Sequence, residues 1–230
     1  VTIRILPSAQ ALADFAADEI AGWISVSRGV STIGLAGGST PQATYEELRS
    51  RSGIQWEEVH AWMTDERHVP PDDPQSNSGM VRAALFDHVP ATFHPVPFLP
   101  SARESAEAYE DQLASVLPGG RSALRPGLVL LGVGADGHTA SLFPGTTAVR
   151  ETQRDYVATE VPDRGWRLTS TFHLLARARR TIFLASGRDK AEVVADILAG
   201  DSGLPAAVVN RSARDVTWLL DSDAAWWLEH

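Results

Sequence analysis

The 230-residue chain contains no cysteine. Disulfide frameworks, thiolate zinc sites and cysteine nucleophiles are therefore excluded. This composition fits a cytoplasmic protein, which is the expected compartment. No apolar run approaches the roughly 18 residues of a membrane span. No basic segment leads into an apolar stretch as in a secretory leader. Membrane association is thus not expected. Positive charge is scarce too: 20 Lys and Arg face 29 Asp and Glu, a formal net charge of −9. A general nucleic-acid binder needs a basic face, so nucleic acid is not an expected partner. An anionic ligand would need a local positive pocket working against the overall field.

What remains is an ordinary globular balance, 43% hydrophobic and 21% charged, with length enough for one large core. There is no repeat and no low-complexity linker. Residues 1–227 are expected to form a single domain, and Leu228-Glu229-His230 resembles a purification-tag remnant. Val1 to Leu6 predicts a first strand, and Ser8 a helix cap ahead of Leu12, Phe15, Ile20, Trp23 and Ile24. "STIGLAGG" (Ser31 to Gly38) predicts a buried strand running into a glycine turn. "STPQATYEELRS" (Ser39 to Ser50) follows as a capped helix with Pro41 in its first turn. "EVHAWMTDER" (Glu58 to Arg67) predicts a strand ending in charge, followed by helices around Ser78 to Phe86 and Glu104 to Leu117. "PGLVLLGVG" (Pro126 to Gly134) and "RTIFLAS" (Arg180 to Ser186) are apolar strands. "YVATEV" and "RLTST" are further strand candidates, and "AAVVN" and "DVTWLL" are expected to finish the sheet. Apolar strands alternating with helices predict an α/β fold with a mostly parallel sheet covered on both faces. Ligands in such folds collect at the carboxyl ends of strands.

Three segments fall at those ends. Gly132-x-Gly134-x-x-Gly137 matches a dinucleotide fingerprint, but no long amphipathic helix follows it. The side chains suggest another use. Asp136 and His138 flank Gly137; in an extended turn they would share a side, and a carboxylate beside an imidazole fixes its tautomer. The plain alternative is a glycine turn with a surface Asp and a capping His. In "AGGSTP", Gly37 and Gly38 allow a tight turn while Ser39 and Thr40 add hydroxyl donors at a helix start, which suits a phosphate. An ordinary capped helix would look the same. "TDERHV" ends a strand with Asp65, Glu66, Arg67 and His68. Arg67 could clamp a phosphate, and Asp65 and Glu66 could hold that arginine or meet sugar hydroxyls. A metal set drawn from Asp65, His68, Asp136 and His138 lacks the tight spacing of a known motif.

Together "GLAGGSTP" (Gly34 to Pro41), "TDERHVPPDDPQSN" (Thr64 to Asn77) and "GVGADGHTASLFPG" (Gly132 to Gly145) resemble the 6-phosphogluconolactonase family, a relative of the glucosamine-6-phosphate deaminases. Weaker support comes from "RLT" at Arg167 to Thr169, "SGRDKAEV" at Ser186 to Val193 and "LPAA" at Leu204 to Ala207. The resemblance implies a fold similar to ribose-5-phosphate isomerase and CoA transferases. It implies hydrolysis of 6-phospho-D-glucono-1,5-lactone to 6-phosphogluconate, with no metal and no organic cofactor. It implies that His138 is the general base, with Asp136 orienting it. The phosphate and sugar would be held by Gly37, Gly38, Ser39, Thr40, Asp65, Arg67 and Arg167. The small lactone is the expected partner, and the chain is expected to be a monomer or small homo-oligomer. The roles of Lys190, Arg211 and the Pro70 to Pro74 loop stay open. In the deaminases an acid that assists ring opening occupies the position that is Phe143 here, and their "DEY" is Asp65-Glu66-Arg67 here. Both departures favour a lactonase over an amino-sugar isomerase. A non-catalytic sugar-phosphate sensor is the rival from another class.

Overall fold

A computed structural model describes residues 1–120, 123–200 and 202–229. Seven strands form one parallel sheet: β1 (Thr2–Leu6), β2 (Ser31–Leu35), β3 (Val59–Met63), β5 (Thr92–His94), β6 (Leu128–Gly132), β9 (Arg180–Ala185) and β10 (Val216–Asp221). Their spatial order is β1-β10-β9-β6-β2-β3-β5. Three more strands, β4 (Asp65–Arg67), β7 (Tyr156–Val161) and β8 (Gly165–Ser170), make a separate antiparallel sheet in the order β4-β8-β7. The helices are α1 (Ala9–Val26), α2 (Ser39–Leu48), α3 (Asn77–Val81), α4 (Ala102–Val116), α5 (Phe172–Leu175), α6 (Ala191–Ala199), α7 (Pro205–Ser212) and α8 (Trp226–Glu229).

The central strands are buried along nearly their whole length, because helices cover both faces of a parallel sheet. The continuous apolar runs of β6 and β9 follow from that. α1 starts at Ser8, whose side chain accepts from the Ala11 amide at 3.2 Å, and it buries Leu12, Ala16, Ala17, Ile20 and Ile24 on one face. α4 carries a capping box between Ser101 and Glu104.

Several expectations are corrected. "AAVVN" is not a strand but lies within α7, which buries Pro205, Ala206, Ala207, Val209 and Asn210. Pro205 in the first turn presets a helical φ, and a short apolar run has no period of its own to decide between the two states. The expected strand from Glu58 to Arg67 breaks at Thr64. β3 stays in the large sheet, while the Thr64 carbonyl accepts from Ser170 and hands the chain to the small one. "YVATEV" and "RLTST" pair with each other and with β4, away from the large sheet. α2 is preceded by Gly38, which supplies no side-chain cap; Ser39 is already helical. The helix at Ser78 to Phe86 widens into an i→i+5 turn, with the Asp87 amide donating to the Arg82 carbonyl at 2.9 Å. Of the suspected tag remnant, His230 lies outside the described residues, and Leu228 ends in α8.

Among the described residues no helix is long and apolar enough to cross a membrane. β2, β3 and β6 run side by side and end on one rim. The segments after them are Ala36 to Gly38, Thr64 to Arg67 and Val133 to His138. That rim is where the three motif segments meet.

Candidate active site

The site begins with a turn. After β6 the Gly137 amide donates to the Gly134 carbonyl at 2.9 Å, and the Gly134 amide donates to the His138 carbonyl at 2.9 Å. Gly137 has φ +76°, so the turn is tight rather than extended as the sequence suggested. Asp136 and His138 still meet. The Asp136 carboxylate accepts from the His138 amide at 3.2 Å and binds the ring at Nδ1. Gly134 permits this: a Cβ there would sit 2.1 Å from the His138 ring and 2.6 Å from the Asp136 carboxylate. Partial burial works to raise the Asp136 pKa. The hydrogen bond and charge of His138 outweigh it and hold the carboxyl below its ordinary value.

Phe143 stacks on the His138 ring with centroids 4.0 Å apart. The imidazole is thus fixed on one edge by a carboxylate and on one face by an apolar ring. Its side chain stays 23% exposed, enough for solvent or substrate to reach it. Thr139 and Ser141 pin the following residues, the first to the Gly132 carbonyl at 2.8 Å and the second to Asp65 at 2.7 Å.

His138 opens onto a cavity of about 260 Å³ that also takes in Gly37, Gly38, Asp65, Arg67 and Lys190. Six of these side chains and turns come from four separate segments of the chain. Gly37 lies against Asn77; a Cβ there would sit 2.0 Å from the Asn77 Oδ1. Asn77 in turn donates to the Asp65 carbonyl at 3.1 Å. The first amides of α2 follow immediately, unmatched by any cap. Arg67 donates to the Gln75 carbonyl at 2.6 Å, which ties it to the proline-rich loop. Lys190, whose role the sequence left open, pairs with Asp189 at 2.8 Å beside the cavity.

Two buried carboxylates lie beneath. Burial pushes the Asp65 carboxyl up, opposed by the Ser141 hydroxyl and by the charges of Arg67, His138 and Arg167. Burial also pushes Glu66 up, against hydrogen bonds from Ser78, Asn77 and Arg67. Glu66 accepts from the Asn77 and Ser78 amides at 2.7 and 2.6 Å and so holds the start of α3. Asn77 and Ser141 are positions that motif reasoning assigned no role, while Glu66, expected to hold Arg67 or meet sugar hydroxyls, binds the Arg67 amide and the start of α3. Their partners lie 11 to 76 residues away for Glu66–Asn77 and Ser141–Asp65. Both residues lie within the matching motifs, Asn77 in "PQSN" and Ser141 in "DGHTASLFPG", but nothing in the motifs says what they touch.

Other expected residues sit apart from the cavity wall. Arg167 faces Arg67 across the β4–β8 pairing, half-buried. Burial and the Arg67 charge press its pKa down. Ser39 and Thr40 stand just beyond Gly38 at the start of α2. Arg211 is occupied elsewhere, donating to the Gly200 and Ser202 carbonyls. His68 turns away from His138, bonding the Leu99 carbonyl and packing on Phe98. Among the described residues no three His, Cys, Asp or Glu side chains cluster as metal ligands. A larger cavity of about 750 Å³ lies against α4 and β7, but it contains no histidine. Its Arg154 is already paired with Glu107 and Glu110.

Residues 7–218 match the family described as glucosamine-6-phosphate isomerases/6-phosphogluconolactonase. The chain is 39% identical over 207 residues to the 6-phosphogluconolactonase of Synechocystis sp., covering 86% of this chain and 84% of that one. It is 32% identical to the 6-phosphogluconolactonase of Haemophilus influenzae, over 95% and 96% of the two chains. The solved structure of the Trypanosoma brucei 6-phosphogluconolactonase superposes with a TM-score of 0.88 at 34% identity, covering 99% of this chain and 98% of that one.

Proposed function

Because the chain belongs to the glucosamine-6-phosphate isomerase/6-phosphogluconolactonase family, we propose that residues 1–227 act as one domain that hydrolyses 6-phospho-D-glucono-1,5-lactone to 6-phosphogluconate, a step of the oxidative pentose phosphate pathway. The observation that carries the reading is the Asp136–His138 pair opening onto the same cavity as the Gly37–Gly38 turn, Arg67 and Lys190. The lack of cysteine supports a cytoplasmic setting, and the −9 charge argues against a nucleic-acid partner. We expect a monomer or a small homo-oligomer that works without metal or organic cofactor.

Asp136 can only accept, so the His138 Nδ1 carries the proton and Nε2 keeps its lone pair. Nε2 takes a proton from water, and the resulting hydroxide forms the new bond to the lactone carbonyl carbon. Charge on the carbonyl oxygen is met by loop amides. The tetrahedral intermediate then breaks its bond to the ring oxygen, which receives the proton back from the imidazolium. Arg67, Arg167, Lys190 and the α2 start with Ser39 and Thr40 hold the phosphate at the far end. Asp65 positions the sugar side of the cavity. Anchoring that remote charge places the carbonyl over the base. Phe143, stacked on His138, leaves no acid there for the ring opening that an amino-sugar isomerase requires.

The test is a coupled assay in which glucose-6-phosphate dehydrogenase makes the lactone in place and 6-phosphogluconate dehydrogenase reports the acid, with chelator present and the spontaneous rate subtracted. Wild type should accelerate hydrolysis. His138→Ala should lose roughly 10²-fold or more in turnover while still binding substrate. Full activity in that variant would end the mechanism, and inactivity of both proteins would end the lactonase reading.

A further inference from the structure

The cavity wall at Ala36 to Gly38 is braced from behind by one hydroxyl. β2 ends at Leu35, where its pairing with β3 stops. Ala36 comes next and is buried, so its backbone groups need partners inside the protein. Tyr45 supplies both. Its hydroxyl accepts from the Ala36 amide at 3.0 Å and donates to the Ala36 carbonyl at 2.9 Å. Tyr45 lies on the buried face of α2 with Pro41, Thr44 and Leu48, so the helix reaches back under the glycine turn that opens it. The side chain is fully buried. Burial pushes its pKa up, and the hydroxyl keeps the proton it donates.

Two bonds to one residue fix the peptides on either side of it. None of the described peptides is cis, and in a trans peptide the N–H points opposite to the C=O. The Ala36 amide points at Tyr45, so the Leu35 carbonyl points away. There it accepts from the Thr64 amide and hydroxyl, both at 2.9 Å. The Ala36 carbonyl also points at Tyr45, so the Gly37 N–H points away, toward the side where Asp65 follows Thr64. Gly37 and Asp65 line the same cavity. Among the described residues the Gly37 N–H meets no acceptor. The other glycine turn differs. Its Gly134, Gly137 and His138 amides are taken up by the His138 carbonyl, the Gly134 carbonyl and the Asp136 carboxylate.

We propose that Tyr45 is a positioning residue for substrate: its hydroxyl holds the Ala36–Gly37 peptide so that the Gly37 N–H, and not the Ala36 carbonyl, faces the phosphate end of the cavity. The assignment rests on the lactonase reading of that cavity. A backbone N–H is a fixed donor for an anionic oxygen. Without the tyrosine hydroxyl the Ala36 carbonyl is left buried and unpaired. Turning outward relieves it, and the carbonyl then sets its negative end against the phosphate.

The experiment compares wild type, Tyr45→Phe and Tyr109→Phe. Each substitution removes one oxygen and keeps the ring. Tyr109 is the control: it is equally buried, and its hydroxyl accepts from the Met63 amide at 2.7 Å and donates to the His94 carbonyl at 2.8 Å. Neither Met63 nor His94 lines the cavity. Urea unfolding should show both variants folded and less stable than wild type. Calorimetric titration with 6-phosphogluconate should show Tyr45→Phe binding about fivefold or more weakly, and Tyr109→Phe binding as wild type does. In the lactone assay Tyr45→Phe should raise KM by a similar factor with kcat within about twofold of wild type. Wild-type affinity in Tyr45→Phe, equal weakening in Tyr109→Phe, or a fall in kcat with KM unchanged would overturn the proposal. If wild type hydrolyses lactone and Tyr45→Phe binds normally, this proposal alone fails. If wild type binds 6-phosphogluconate without hydrolysing lactone and only Tyr45→Phe binds it weakly, the lactonase reading alone fails. If wild type does neither, both fail.

Discussion

At the scale of single residues, the site turns on how one imidazole is held. Asp136 accepts the hydrogen bond from Nδ1, Phe143 covers one face, and Gly134 gives the ring room that a Cβ would fill. The carboxylate is 43% exposed, so water partly screens it, unlike the buried aspartate of a protease triad. Asp136→Asn should therefore cost less than a triad aspartate does, about tenfold or more in kcat with KM little changed. Steady-state kinetics of the two proteins check this; an unchanged kcat would show that Asp136 does not orient the base. The pair was legible in the sequence because its members are two residues apart across a glycine. Asn77 and Ser141 were not, because each acts through a partner that only folding brings near.

At the scale of elements, the short strand β4 joins the two sheets and carries Asp65, Glu66 and Arg67 in sequence. Glu66 faces α3 and binds its first amides, an anion at a helix start. It also accepts from the Arg67 amide at 2.9 Å. The loop between them, Val69 to Gln75, holds Arg67 through the Gln75 carbonyl. Glu66 is thus a positioning residue for Arg67. Glu66→Ala should lower stability by about 2–4 kcal/mol, since several hydrogen bonds to a buried charge are lost. It should also raise KM more than it lowers kcat, because the loop that steadies Arg67 is released while His138 is not. Urea unfolding and steady-state kinetics on one preparation separate the two effects. Sequence reading placed the charges at a strand end but ran β3 and β4 together. Nothing local marks Thr64 as a break; the change of sheet is made by its long-range bonds to Leu35 and Ser170. The strand expected at "AAVVN" failed for the complementary reason: its apolar run fits either period, and packing against the sheet decided for helix.

At the scale of the whole molecule, the alternation of apolar strands and helices was enough to foresee the parallel sheet and the rim on which ligands gather. The small antiparallel sheet was not foreseen, because β4 pairs with a strand 104 residues further along the chain, Asp65 opposite Thr169. Joining them places Asp65 in the interior, 8% exposed, under the cavity. That has a thermodynamic sign. Burial raises the Asp65 pKa in the folded state above its unfolded value of about 3.9. Below the unfolded value its contribution to stability is fully present; as pH rises through the folded value it is lost, since the fold then has to carry a buried charge. Asp65→Asn has no such loss and can still accept from Ser141. Its stability relative to wild type should therefore rise between pH 4 and pH 8, with every other titrating group cancelling in the difference. Denaturant unfolding of both proteins at the two pH values measures it. The same variant should hydrolyse lactone more slowly, because the ionised carboxylate offsets the nearby arginines and positions the sugar side of the cavity. A variant that is more stable at pH 8 and less active would show that the fold carries this charge for the site. A flat stability difference across that range would mean that Arg67, His138 and Arg167 neutralise Asp65 fully in place.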